Sequence, residues 1–381
     1  MGPIAARRSP LLLALASVAM VACGSVSGGA TSVDVGSADA GPAPQLVMTG
    51  PGNGWLVWNR GGATVVLATA DGFHTLTNAT PPAVPTDGGL VLARDGRRFL
   101  AGVAPSGRLS ASPFLMGDGS RAGWTGGELP GAITARADAV ALQGSTLWAV
   151  VGAGAASRLV SSPDTGVSWR VRATAKALDP AGHLALTGIL WSDAEHGWLS
   201  AIATSGHRVL FAATGAGSAW VPVPLPATVA PASAAETWAS VPCGSGKTLT
   251  GLVVSRPVSG PGQAVVVRSS DSGNTWNSGV AVPVPGGQPV LSCRPGELWL
   301  AVGGPASSRL LVSTDEGVSW RQAGTPPGVV SALAVSAPGA GYAVTGVGAD
   351  EILWAVSRGG SVFTRLPLPA WVAKLTAGGA S

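Results

Sequence analysis

Between Leu46 and Leu368 the apolar residues come in short runs that end at Gly, Pro, Asp or Ser, and no run sustains a helical period. Within a run they alternate with polar or small neighbours, as in Arg158-Leu159-Val160-Ser161, Ala264-Val265-Val266-Val267 and Arg309-Leu310-Leu311-Val312. Such runs predict β-strands. About ten residues upstream of these lies a second set, with Gly or Leu before an aromatic residue. Its members are Gly54-Trp55, Leu147-Trp148, Gly197-Trp198, Leu298-Trp299 and Gly341-Tyr342. A third set, rich in small residues, comes earlier still: Leu46-Val47-Met48, Val140-Ala141-Leu142, Leu186-Thr187-Gly188-Ile189 and Leu333-Ala334-Val335.

A turn follows the last strand of each group. Three turns are nearly identical: Ser162-Pro163-Asp164-Thr165-Gly166-Val167-Ser168-Trp169, Ser269-Ser270-Asp271-Ser272-Gly273-Asn274-Thr275-Trp276 and Ser313-Thr314-Asp315-Glu316-Gly317-Val318-Ser319-Trp320. The Asp can bond backbone N–H groups just downstream, the Gly can take positive φ, and the Trp can anchor the strand that follows. Weaker copies fall at Asp71 with Thr75, Asp118-Gly119-Ser120 with Trp124, Gly215 with Trp220, and Gly359 with Phe363. The turn positions 71, 118, 164, 215, 271, 315 and 359 are spaced by 47, 46, 51, 56, 44 and 44 residues. A period of about 40 to 50 residues is that of a four-stranded propeller blade. The expectation is an all-β, seven-bladed β-propeller of four-stranded antiparallel blades over residues 45–381, with the small-residue strands innermost.

Composition fits this reading. The chain has 56 Gly and 30 Pro in 381 residues and 11% charged residues, values that alone would suit a disordered chain. The 46% hydrophobic residues and 14 Trp argue for a packed core instead. Residues 1–22 differ from the rest: Arg7 and Arg8 precede an apolar stretch from Leu11 to Val21 that ends at Met20-Val21-Ala22-Cys23. This resembles a bacterial lipoprotein signal peptide, which implies cleavage before Cys23, lipidation of Cys23 and residence on the extracytoplasmic face of the cell membrane. Residues 23–44, rich in Gly, Ser and Ala, read as a flexible tether. Losing the leader removes two Arg and no acid, so the net charge falls from +4 to +2. With three Lys and no basic cluster, nucleic acid is not an expected partner.

Cys243 and Cys293 fall at matching places, near the ends of the first strands of the fifth and sixth units. Innermost strands of adjacent blades run side by side, so a disulfide between them is expected, two buried free thiols being the alternative.

The Ser-x-Asp-x-Gly-x-Thr/Ser-Trp turn resembles the Asp box, or bacterial neuraminidase repeat. This repeat occurs in sialidases, in other glycan-cleaving propellers, and in propellers related to the photosystem II assembly factor. The resemblance covers most of residues 45–370, with departures at Phe73, where Gly is expected, and at Gly215 and Gly359, where Asp is expected. It implies that the boxes lie between third and fourth strands, away from the usual ligand face, and are scaffold.

Sialidase chemistry would need a nucleophilic Tyr, an acid/base Asp and three Arg on the substrate. The single Tyr, Tyr342, takes the repeat position of Trp198 and Trp299, a packing position, and Arg158, Arg268 and Arg309 recur at third strands. Hydrolysis by paired carboxylates would need two acids about 5 to 9.5 Å apart. The candidates on the ligand face, Asp87, Asp138, Asp179, Glu236, Asp350 and Glu351, are scattered among units. His183 and His196 flank one strand, His74 and His207 stand apart, and Ser245-Gly246-Lys247 lacks the glycine spacing of a phosphate loop. No cofactor or metal is expected. What remains is a non-enzymatic binding or assembly scaffold for a protein or an envelope glycan, with Trp191, Trp238 and Trp371 as possible exposed contacts. The alternative is a glycan-processing hydrolase.

Overall fold

The computed structural model describes residues 44–48, 51–60, 63–81, 90–95, 98–103, 113–117, 124–129, 137–191, 193–225, 235–239, 243–245, 247–256, 260–304, 306–346 and 350–372. Their strands form antiparallel sheets in chain order, here lettered A (45–78), B (90–128), C (137–174), D (184–223), E (235–284), F (286–324) and G (330–365). In each sheet the main strands lie side by side in sequence order, so outside the divided first strand of E successive strands of a sheet are hairpin-connected. The protein is an all-β propeller.

Six of the sheets are four-stranded blades, not the seven expected; sheet E has five strands. Its first strand is broken into Ala235–Trp238 and Cys243–Ser245, and both pieces pair with the long second strand Thr248–Arg256. Trp238 stands opposite Val253 and Cys243 opposite Thr250. Pro242, between the two pieces, has no N–H to offer a ladder.

First strands of neighbouring sheets meet one another, B with C, C with D, F with G and A with G, so they are the inner strands. Each seam between consecutive sheets has its own apolar cluster. Val57 and Val66 of A meet Leu115 of B; Met116 of B lies against Val140 of C; Trp148 of C packs with Leu186 of D. Leu210 of D meets Trp238 of E, Leu252 of E meets Leu300 of F, and Trp299 of F meets Leu333 of G. The ring closes where Leu56 and Phe73 of A meet Tyr342 and Leu353 of G. Closure uses side-chain packing, since A and G each supply all of their own strands. Leu366 and Val372, which follow the last strand, are buried in this same seam.

Buried hydroxyls brace two seams. Ser157, at the start of the third strand of C, accepts the N–H of Leu186 in the first strand of D at 2.8 Å; Ser308 in F accepts that of Val330 in G at 3.0 Å. The same seam position between D and E reverses the roles, with Thr237 accepting from the Arg208 N–H at 2.6 Å. These bonds satisfy amides that no ladder reaches.

Trp191 and Trp238 belong to this core, at 9% and 1% exposure, and are not the exposed contacts expected of them. Trp191 stacks on Trp148 with centroids 4.8 Å apart, and Trp238 meets Trp276 at 5.1 Å. Trp371 is half-buried against the A/G cluster.

Candidate functional site

The hairpins divide between two faces. Turns from first to second and from third to fourth strands lie on one, the tip face; connections from second to third and from fourth to the next first strand lie on the other, the loop face.

On the tip face the Asp turns share one hydrogen-bond pattern. In sheet C the Ser162 hydroxyl donates to Asp164 Oδ1 at 2.7 Å and accepts the Gly166 N–H at 2.7 Å. Asp164 in turn accepts the Ser168 N–H at 2.9 Å and the Ser168 hydroxyl at 2.5 Å. Ser269, Asp271, Gly273 and Thr275 repeat this in E, as do Ser313, Asp315, Gly317 and Ser319 in F. Sheet A keeps the pattern with Thr69 for Ser, and Phe73 supplies the N–H at 2.7 Å despite standing at a glycine position. Phe73 accordingly adopts φ 66°, and its fully buried ring offsets that strain. Gly215 and Gly359 have no carboxylate, and their turns close through backbone bonds to Thr214 and Ser357. Asp118 lies outside the described residues.

Hydrogen bonds from the Ser168, Thr275 and Ser319 hydroxyls, then from their N–H groups, hold Asp164, Asp271 and Asp315 down to about 2. Carboxylates so committed are turn fasteners, without a proton to give at neutral pH. Trp169, Trp276 and Trp320, after the turns, are half-buried against the clusters of C, E and F.

The other candidates separate by environment. Tyr342 is 8% exposed and meets Phe73 edge-on at 4.9 Å; burial, then the charge of Asp71, raises its phenol pKa. Arg268 pairs with Glu316 of the neighbouring tip, and Arg309 reaches the Pro283 carbonyl at 3.4 Å, so these two arginines bridge the same E/F seam but at its opposite ends. On the loop face Asp179 accepts the N–H groups of Ala181 and His183 at 3.1 and 2.8 Å. Glu351 is buried and Asp350 exposed. Asp87 and the side chain of Asp138 lie outside the described residues. Asp193 holds the His196 ring at 2.7 Å; burial works against its ionisation, but bonds from the Glu195 N–H and the His196 ring and N–H keep its pKa below the usual range. No three His, Cys, Asp or Glu side chains converge on a metal position among the described residues.

The structure does gather one polar group that sequence reasoning missed. At the loop-face end of the D/E seam, the His207 ring lies 3.3 Å from the Glu236 carbonyl, and the Arg208 guanidinium donates to Thr187 at 3.2 Å and Ser200 at 3.5 Å. Burial raises the pKa of Glu236. These residues come from four strands and the position before one of them, and the bonds that join D to E span 29 positions. A His-Arg pair before one third strand and a Glu-Thr pair in the next first strand were the only sequence signal.

Inter-sheet clefts open on the tip face among the described residues. One, about 720 Å³, lies between D and E and is lined by His196, Gly215 and Asn274 among others. The second, about 670 Å³, lies between E and F. There Cys243 and Cys293 are disulfide-bonded, with Cα atoms 6.2 Å apart. Cys243 opens a separate short strand rather than ending the first one.

No protein-family model matches the chain, and no curated protein sequence matches it. Solved structures resemble it in fold. A structure of YCF48 bound to a D1 peptide aligns with TM-score 0.54 and 16% identity, over 83% of this chain and 93% of that one. A prolyl endopeptidase structure aligns with TM-score 0.58 and 11% identity over 87% of this chain. The alignment covers 51% of that endopeptidase, about half its length.

Proposed function

We propose that this chain is a lipid-anchored, extracytoplasmic propeller that acts as a non-enzymatic binding or assembly scaffold for a protein partner. The observation that carries the reading is the likeness to the YCF48 propeller, solved with a D1 peptide, across nearly the whole of both chains. The tip chemistry supports it: the Asp-box carboxylates are spent on their own turns and the one Tyr is packed into a seam. The partner docks on the loop face, where the His207, Arg208 and Glu236 cluster offers donors and acceptors on rigid strands. Residues 23–44 tether the propeller to a lipidated Cys23, and the Asp boxes are its scaffold.

Two measurements test this. Replacing Cys23 with Ser should move the protein from the membrane to the soluble fraction; retention in the membrane would reject the anchor. Incubating the purified protein with a panel of cell-envelope glycans should leave them intact, and release of free sugar would reject the scaffold in favour of a hydrolase.

A further inference from the structure

We propose that the E/F cleft is a site of thiol–disulfide exchange, where an incoming thiolate reduces the Cys243–Cys293 bond in the folded protein. Three observations carry this. Both cysteines line the cleft and neither is fully buried, so its 670 Å³ gives a small thiol, or the tip of a protein loop bearing Cys-x-x-Cys, room to reach a sulfur. Two guanidiniums, Arg268 and Arg294, share the cleft wall. Arg268 is paired with Glu316, whereas Arg294 has no hydrogen-bond or ion-pair partner among the described residues.

The other cleft carboxylate, Glu297, is turned away. It accepts the Trp299 indole N–H at 2.9 Å and the Gly339 N–H at 2.9 and 3.2 Å. The unpaired cation is therefore Arg294, next to Cys293. A cation there attracts the attacking thiolate and stabilises the one that leaves.

The third observation is the broken strand. Cys243 sits on the three-residue piece Cys243–Ser245, outside the main strand path of sheet E, while Ala235–Trp238 pairs separately with the second strand. Cutting the bond frees this piece from F and leaves the four main strands of E paired. Exchange thus opens the cleft without opening the ring.

In the reaction one thiolate attacks either sulfur, the S–S bond breaks, a mixed disulfide forms, and the other cysteine leaves as a thiolate with the electron pair. A second thiol, or the second thiol of a dithiol, attacks the external sulfur of the mixed disulfide. The protein gains two electrons and two protons, and the reductant leaves as its disulfide. None of this depends on the scaffold reading.

The test uses the full chain in native buffer with reduced glutathione or with a reduced Cys-x-x-Cys oxidoreductase, followed by alkylation and tryptic mass spectrometry. Before treatment, peptides 209–247 and 269–309 should be cross-linked. They should separate under native conditions at a rate within roughly tenfold of that in guanidinium. Arg294→Ala should slow this severalfold at low salt, and Arg365→Ala, on the last strand of G, should not. Faster reduction by glutathione would assign a small thiol, faster reduction by the oxidoreductase a protein partner. Peptides unlinked from the start, a bond reduced only after unfolding, or equal rates in the Arg294 variant and the parent would overturn the proposal.

Discussion

Phe73 and Tyr342, from opposite ends of the propeller sequence, meet edge to face with ring centroids 4.9 Å apart and planes inclined by 70°. Gly72, beside Phe73, lies against the Tyr342 hydroxyl so closely that a Cβ there would collide with it. The contact is the ring's closing seam, and no strand exchange supports it. Tyr342→Ala should therefore cost about 3–5 kcal/mol in denaturant unfolding, as removal of a buried aromatic does. Tyr342→Phe keeps the ring and should cost less than about 1.5 kcal/mol. Equal losses from both variants would show that the hydroxyl, and not the packing, holds the seam.

The same relationship recurs one seam at a time. Gly273, at the tip of E, lies against the Trp198 ring of D with φ 86°, and Gly217, at the tip of D, lies against Trp148 of C, where a Cβ would come within 2.5 Å of the ring. Gly273→Ala meets both the left-handed backbone and the indole, so it should destabilise by more than about 1 kcal/mol. A neutral result in thermal or chemical unfolding would refute the close approach.

Acid should loosen the tips in a defined window. Asp164, Asp271 and Asp315 are held to about 2 in the fold against an ordinary value of 3.8. Depressed folded-state values mean that their contribution is complete above the unfolded value and is lost as pH falls through the folded one. The unfolding midpoint should therefore fall between about pH 4 and pH 2, and the Asp→Asn triple variant should show a shallower fall there. Identical slopes for parent and variant would mean that other groups govern acid stability.

The tips were legible in the sequence because every bond in them is local: Ser162, Asp164, Gly166 and Ser168 satisfy one another within six residues. Strand positions were legible for the same reason, since the Leu147-Trp148 and Gly197-Trp198 pairs mark second strands by neighbour and spacing. Seams were not. The burial of Trp191 depends on Trp148 and Trp220 of two different sheets, and the Arg208 cluster depends on residues 29 positions away. The division of the first strand of E into Ala235–Trp238 and Cys243–Ser245 was not legible, because along the chain the two pieces read as one run.

Removing a seam hydroxyl tests the bracing between sheets. Ser157→Ala leaves the Leu186 N–H without its partner, and Ser308→Ala does the same to Val330. Each should cost about 1–3 kcal/mol, the penalty for a buried donor left unmatched. Near-zero losses in urea unfolding would mean that these amides find another acceptor.

The central claim is that the loop face, and not the tip face, meets the partner protein. Photo-cross-linking from two single positions of comparable exposure tests it most directly: His183 on the loop face, 57% exposed, and Val318 on a tip, 52% exposed. With the full chain in intact cells, position 183 should give a discrete adduct with the scaffold's partner protein, and position 318 none with that same protein. Adducts from position 318 alone would contradict the account.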